Sequence, residues 1–449
     1  MNNDNDFSKG SVLKAILKLA SPMILAQLVH LLYNIVDRVY IGMMPQNATP
    51  AMTGIGLTLP IISIIIAFTN LFGMGGAPLS AIARGKGDNE EAEAIIGNSF
   101  VLLVIFGIIL TILGLIFKNP LLGLFGASNL TFPYANEYIT IYLIGSIFVM
   151  IGLGMNSFIN AQGFGKIGMY TVVIGAVLNI ILDPIFIFVL DMGVKGAALA
   201  TIISQFASSI WIMLFLCSKK TILRLKISNF KLQGHRVKRI VTLGFSGFIM
   251  ALTNSAVHIV NNTSLQFYGG DIFVGIMTVI NSIREIITLP VSGFTNAAQP
   301  VISYNYGAQA YDRVRTSIKF MTVVCIVYTL LAWGILNIFP EFFIKIFNRN
   351  PELIENALPA LRIYFLGFFL MPLQFAGQST FVALGKSRQA IFFSLLRKVI
   401  IVIPLTIILP KMFGLGTNGV FLAEPISNFI GGIACYTTMF LTVRPELKK

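Results

Sequence analysis

The chain has 449 residues, of which 56% are hydrophobic and 11% charged, where an average soluble domain carries about 25% charged residues. No soluble core of this length buries so much apolar surface, which excludes a water-soluble enzyme or scaffold and leaves a polytopic all-α membrane protein. The formal charge of +14 then belongs to loops facing an anionic leaflet, not to a nucleic-acid surface.

The polar N-terminus, Met1-Asn-Asn-Asp-Asn-Asp6, precedes Lys9, Lys14 and Lys18 and has no cleavable signal pattern, so the first span itself directs insertion. Apolar runs and their breakers predict spans at 14–42, 53–81, 94–117, 136–160, 167–190 and 194–217. Six more fall at 240–267, 273–303, 317–340, 357–384, 389–410 and 416–441. Each exceeds the roughly 20 residues that cross a bilayer. An even number of spans puts both termini on one side. With the termini inside, 22 of the 32 Lys and Arg are cytoplasmic. Five lie outside (Lys118, Lys195, Lys345, Arg349, Lys411) and five within spans (Arg38, Arg284, Arg362, Arg397, Lys398). That bias predicts a multi-pass protein of the plasma (inner) membrane with cytoplasmic termini. Cys217, Cys325 and Cys435 are far apart in or beside apolar segments and form neither a disulfide frame nor a metal site.

The basic loop 218–239 divides the chain into an N-terminal lobe, 1–217, and a C-terminal lobe, 240–449, of six helices each. Seven of fourteen residues are identical between Gly193–Phe206 and Gly416–Phe429. Pro78, Gly85, Ile141-Tyr142 and Gly145 match Pro300, Gly307, Ile363-Tyr364 and Gly367, all at an offset of 222. Two pseudo-symmetric halves of equal orientation are the signature of a carrier whose repeats rock about a central site.

Asp37 lies five residues before the end of the first span, Asp183 seven before the end of the fifth, and Thr201 seven after the start of the sixth. At about 1.5 Å rise per residue all three sit roughly 8–10 Å below the outer surface. Asn179 shares a face with Asp183, one turn deeper. Pro184 supplies no N–H and frees the carbonyl of Ile180. Two carboxylates, an amide and a hydroxyl at one depth make a hard-oxygen site for Na⁺, held by Asp37 and Asp183, or for a proton shared between the acids. Taken singly, the same groups also read as a helix breaker, a local Asp37–Arg38 pair and interhelical glue. The second half puts Asn261, Ile403 and Glu424 where the first has Asp37, Asp183 and Thr201, so the paired-acid site belongs to the first half. His30, Asn34 and Asn156, with His258, Asn261, Glu285 and Glu424, are candidate cavity-lining groups. Glu285 beside Arg284 reads equally as part of a structural ion pair. No HExxH, GxSxG or GxxxxGK[ST] motif is present, so neither hydrolase nor ATP-driven chemistry is indicated, and no cofactor beyond a coupling ion is expected.

Ala20-Ser-Pro22, Tyr33-Asn-Ile-Val-Asp37, Ala83-Arg-Gly-Lys-Gly-Asp88, Leu178-Asn-Ile-Ile-Leu-Asp183-Pro184 and Gly193-Val-Lys-Gly196 together resemble the multidrug and toxic compound extrusion (MATE) family, in its bacterial multidrug-exporter branch. The resemblance covers essentially the whole chain. It implies twelve helices in two six-helix lobes around a central cavity, and efflux of amphipathic, mostly cationic organic compounds in exchange for Na⁺ or H⁺. It implies a cation site at Asp37, Asn179, Asp183 and Thr201, and a first helix that bends at Pro22. The family's alternative site finds no match, since spans 240–267 and 357–384 hold no Asp or Glu. One chain contains both lobes, so function as a monomer among membrane lipids is expected, with small-molecule partners and no nucleic acid. The alternative is a flippase for a lipid-linked sugar or similar amphiphile, for which Arg284, Arg397 and Lys398 are the candidate headgroup contacts.

Overall fold

The described residues, 7–44 and 48–447 of this computed structural model, fold into helices with no strand among them; of Phe413 only the backbone is described. Met1–Asp6, Lys448 and Lys449, expected on the cytoplasmic side, lie outside these residues. Apolar side chains favour the bilayer, and a backbone in hydrocarbon must satisfy its own N–H and C=O groups, which the α-helix does.

In the first half the helices are α1 (Val12–Gly42), α2 (Ala48–Gly56), α3 (Leu59–Gly85), α4 (Asn89–Leu124), α5 (Phe132–Ile144), α6 (Ser146–Ala161), α7 (Gly165–Pro184) and α8 (Gly193–Cys217). A π-helical turn, Ile185–Val189, joins α7 to α8. The second half comprises α9 (Gly234–Gly307), α10 (Tyr311–Ile338), α11 (Pro340–Phe347), α12 (Pro351–Tyr364), α13 (Met371–Ala383), α14 (Ser387–Leu395), α15 (Ile403–Ile408) and α16 (Thr417–Glu446). A second π-helical stretch, Leu396–Val402, links α14 to α15.

Among the described residues nine helical runs are long and apolar enough to cross a membrane, and two bent pairs do so together. The 74-residue α9 is broken at Gly270 (φ 71°, ψ −167°). Counting it as two spans gives the twelve expected, in a multi-pass membrane protein. Ile108, Ile112 and Ile116 of α4 are exposed at i, i+4 spacing, a stripe suited to lipid and not to water. Inside, small residues let helices close up: a Cβ on Gly73 would stand 3.0 Å from the Gly154 Cα.

Packing groups the chain into two units, one built on Ser21–Phe248 and the other on Ser8–Ala20 with 249–447. In the first, Phe72, Phe158 and Ile95 are fully buried; in the second, Tyr364, Phe365, Phe368 and Phe381 are. The basic loop is held to α4. Glu93 bonds the Lys226 ammonium at 2.5 Å and the Arg224 N–H at 3.0 Å. Glu91 pairs with Arg236 at 2.7 Å and Arg239 at 3.4 Å. Part of the charge expected to face the leaflet is therefore neutralised within the protein.

The repeat is visible in the backbone. Gly163 and Gly385, and Gly87 and Gln309, adopt positive φ at equivalent positions. Two differences from the predicted spans also recur. Span 136–160 is bent by 57° at Gly145, and span 357–384 by 40° around Gly367, the residue matched to Gly145. Apolar periodicity runs unbroken through both bends and does not reveal them. Gly145 is small because Ile202 fills the bend: a Cβ there would meet the Ile202 Cγ2 at 2.2 Å. Gly145→Ala is expected to destabilise the protein by about 1–3 kcal/mol, largely recovered in Gly145→Ala/Ile202→Ala. Thermal unfolding in detergent checks this, and additive losses would refute the clash.

Candidate ion-binding site

The site is assembled by the C-terminal turns of α1 and α7 and the N-terminal turns of α8. Two glycines bring α7 and α8 together. Gly193 turns the chain at φ 53°, and Gly196 lets α8 approach the π-turn so closely that a Cβ would stand 2.7 Å from the Phe186 carbonyl carbon. Gly416 (φ 50°) and Gly419, 2.5 Å on the same measure from the Pro410 nitrogen, repeat the device in the second half. Pro184 ends the regular ladder as its missing N–H requires: the Ile185 N–H bonds the Leu182 carbonyl and the five-residue π-turn follows.

Asn179 and Asp183, both buried, lie on one face of α7, and the Asn179 Nδ2 donates to the Asp183 Oδ1 at 3.2 Å. The same amide reaches the Thr201 Oγ1 at 3.5 Å, while the Thr201 hydroxyl donates to the Ala197 carbonyl at 3.0 Å. Asp37 brings its carboxyl within hydrogen-bonding reach of Asp183. Arg38, next in sequence, is exposed, and its charge reaches Asp37 from the outer side of the helix. All four predicted residues thus come together. Three of their oxygens, the Asp37 Oδ1, Asp183 Oδ2 and Asn179 Oδ1, are buried without a hydrogen-bond donor. Acceptors gathered without donors favour a proton or a hard cation. Among the described residues no three His, Cys, Asp or Glu side chains cluster as a larger metal site would need.

Tyrosines wall the site. Tyr138 of α5 is buried within reach of the Thr201 hydroxyl and the charge of Asp37. Tyr33 lies near both acids, and Tyr142 near Tyr33. Tyr138 is the participant that sequence reading missed; its only signal was the i, i+4 spacing to Tyr142, which the repeat had singled out. Tyr138→Phe is expected to raise the ion concentration giving half-maximal transport by about threefold to tenfold, read from flux against ion concentration; an unchanged value would make Tyr138 a packing residue.

A cleft of about 470 Å³, part of it open to solvent, adjoins the site and is lined by His30, Tyr33, Asn156, Asn179, Thr201 and Gln205 among others. His30 packs edge-on against Tyr33 at 4.9 Å, and Asn34 donates to the His30 carbonyl at 2.7 Å. In the other unit Asn261 is buried and accepts from Thr406 at 3.2 Å. Glu285 is exposed. Glu424 is buried and bonded to Arg397, with Lys398 at 3.7 Å and Arg284 at 3.9 Å; His258 lies near these charges. The second-half candidates therefore divide between this cluster and isolated positions.

A buried acid, Asp183, paired with the half-buried Asp37 between membrane helices and set in a duplicated twelve-span frame, defines a carrier protein of the multi-pass transporter class. The family model described as MatE matches twice, over residues 22–185 and 242–408, and the chain belongs to that family. It is 26% identical over 437 residues to the multidrug export protein MepA of Staphylococcus haemolyticus, covering 96% of this chain and 95% of that protein. To MepA of Staphylococcus aureus it is 25% identical over 440 residues, covering 97% and 95%. Its fold matches the outward-facing conformation of a multidrug-resistance MATE family transporter of the MOP superfamily with a TM-score of 0.92 at 24% identity, over 100% of this chain and 99% of the other.

Proposed function

We propose that the chain is a secondary active multidrug antiporter of the plasma membrane. In this reading it exports amphipathic, mostly cationic organic compounds in exchange for Na⁺ or H⁺, by alternating access of its two lobes, and works as a monomer with cytoplasmic termini. The observation that carries the coupling role is the trio of donor-free oxygens on Asp37, Asp183 and Asn179. Two neighbouring carboxylates at a largely buried site repel when both are ionised, and a proton or Na⁺ placed between them removes the repulsion. Occupancy changes the local charge by one, and an ion that binds one conformation better shifts the balance towards it. Drug release follows where the drug favours the opposite conformation. The export names of the relatives support the substrate class.

The test is ethidium efflux from proteoliposomes under an inward Na⁺ gradient, an inward H⁺ gradient, or neither. Drive by one gradient supports antiport and names the ion. No response to either overturns it in favour of the lipid flippase reading.

A further inference from the structure

The basic loop of the first unit has a surface that neither transport nor ion coupling uses. Between Ser218 and Arg239 stand eight Lys and Arg and no acid. The start of α4 offsets part of this charge. Glu93 bonds Lys226, Glu91 pairs with Arg236 and Arg239, and Asp88 and Glu90 are the other acids there. Four acids against eight bases leave a surplus of four positive charges. Lys219, Lys220, Lys231 and Lys238 are exposed, and among the described residues none of them pairs with a carboxylate.

In the middle of this loop is Ile227, 84% exposed, the most exposed large apolar side chain among the described residues. The chain reaches it with Leu223 and Leu225 buried at alternate positions, as in extended backbone. The 3-10 turn Ile227–Phe230 ends that alternation and leaves Ile227 outside. The turn is fixed to α4. The Asn98 amide donates to the Asn229 and Lys231 carbonyls at 3.1 and 3.2 Å and accepts from the Gln233 N–H at 3.0 Å. Phe230 packs on Phe100 with ring centroids 5.2 Å apart. A Cβ on Gly97 would stand 2.5 Å from the Asn229 carbonyl oxygen, so helix and loop meet backbone to backbone. A side chain held outward this firmly cannot fold back to hide from water, and its hydration is unfavourable unless a partner covers it.

The depth of the turn identifies that partner. Asn98 lies seven residues before Ile105, the first exposed large apolar residue of α4. Seven residues rise about 10 Å, which carries the turn from the edge of the hydrocarbon into the headgroup layer. At the start of the loop, Leu214 of α8 is 66% exposed and precedes Lys219 by five residues.

We infer that the loop is a docking surface for anionic phospholipid of the adjacent leaflet, with Ile227 set into the boundary between headgroups and acyl chains and Lys219, Lys220 and Lys231 on the headgroup phosphates. Lysine stems lie along apolar surface while their ammonium groups stay at the polar layer, and each such charge near an anionic leaflet adds attraction. A nucleic acid would match the charge but has no apolar layer to receive Ile227. The inference depends neither on the transported compound nor on the coupling ion, nor on which side of the membrane the loop faces.

The experiment places the full chain in nanodiscs of phosphatidylcholine with a minority of phosphatidylglycerol. One lipid at a time is brominated at its upper acyl carbons. Tryptophan emission of Ile227→Trp is read against the wild type, whose Trp211 and Trp333 give the background. The added emission should be quenched by brominated lipid. Per mole of lipid, brominated phosphatidylglycerol should quench it about fivefold more than brominated phosphatidylcholine. With Lys219→Gln, Lys220→Gln and Lys231→Gln added to Ile227→Trp, that preference should fall towards one. Added emission that neither lipid quenches overturns the proposal, because the turn then faces water, as a surface for a protein or nucleic acid would. Quenching without preference for phosphatidylglycerol, or a preference that the three lysine substitutions leave unchanged, overturns it as well.

Discussion

Replacing Asp37 with asparagine is expected to abolish gradient-driven efflux while leaving the protein at least as stable as the wild type. Asn has nearly the same shape as Asp, so packing at the end of α1 is preserved. Its amide adds donors to a site where the Asp183 Oδ2 and Asn179 Oδ1 have none, and it removes one of two mutually repelling charges. Each new hydrogen bond to an unsatisfied buried acceptor contributes about 1 kcal/mol, so melting in detergent should rise or stay level. The same change removes the charge that distinguishes the ion-filled site from the empty one, and with it the coupling. Ethidium flux and melting temperature measured together separate the outcomes. Preserved export would sink the coupling role. Lost export with a lowered melting temperature would make Asp37 a structural residue.

The second large effect is expected at Glu424. Glu424→Gln leaves Arg397, Lys398 and Arg284 without their shared counter-ion in a buried setting, and removing one partner from a buried ion pair costs about 3–5 kcal/mol. Lower yield and a lower melting temperature should follow, with partial recovery in Glu424→Gln/Lys398→Met, where the excess charge is reduced. Glu285→Gln, at an exposed position, should change stability by no more than about 0.5 kcal/mol. Equal stability of the Glu424 and Glu285 variants would show that the cluster is solvated and carries no such strain.

The two residues illustrate how far linear reading reaches. Both are glutamates inside apolar segments, and neighbouring sequence gives Glu285 an adjacent arginine and Glu424 none. The structure reverses the expectation: Glu424 is the one held by cations, from residues 27 and 140 positions away, because α16 packs against the π-helical stretch and the second part of α9. The bends at Gly145 and Gly367 were likewise hidden, since a break that keeps apolar residues on both sides leaves hydropathy unchanged. Tyr138 joined the ion site only through the packing of α5 on α8.

What the sequence determined by itself was one-dimensional: twelve apolar segments, a duplication at a nearly constant offset, and the depth of each polar group along its helix. Helix rise is constant, so depth follows from counting, and this placed Asp37, Asp183 and Thr201 in one layer with Asn179 one turn deeper. The Asn179–Asp183 contact was legible for the same reason, since four residues make about one turn; the observed bond is 3.2 Å. Rotation of each helix and choice of neighbour were left to tertiary structure, because they depend on how glycines and bulky side chains interlock between helices. That interlocking set Tyr138 beside Thr201 and gathered three cations around Glu424.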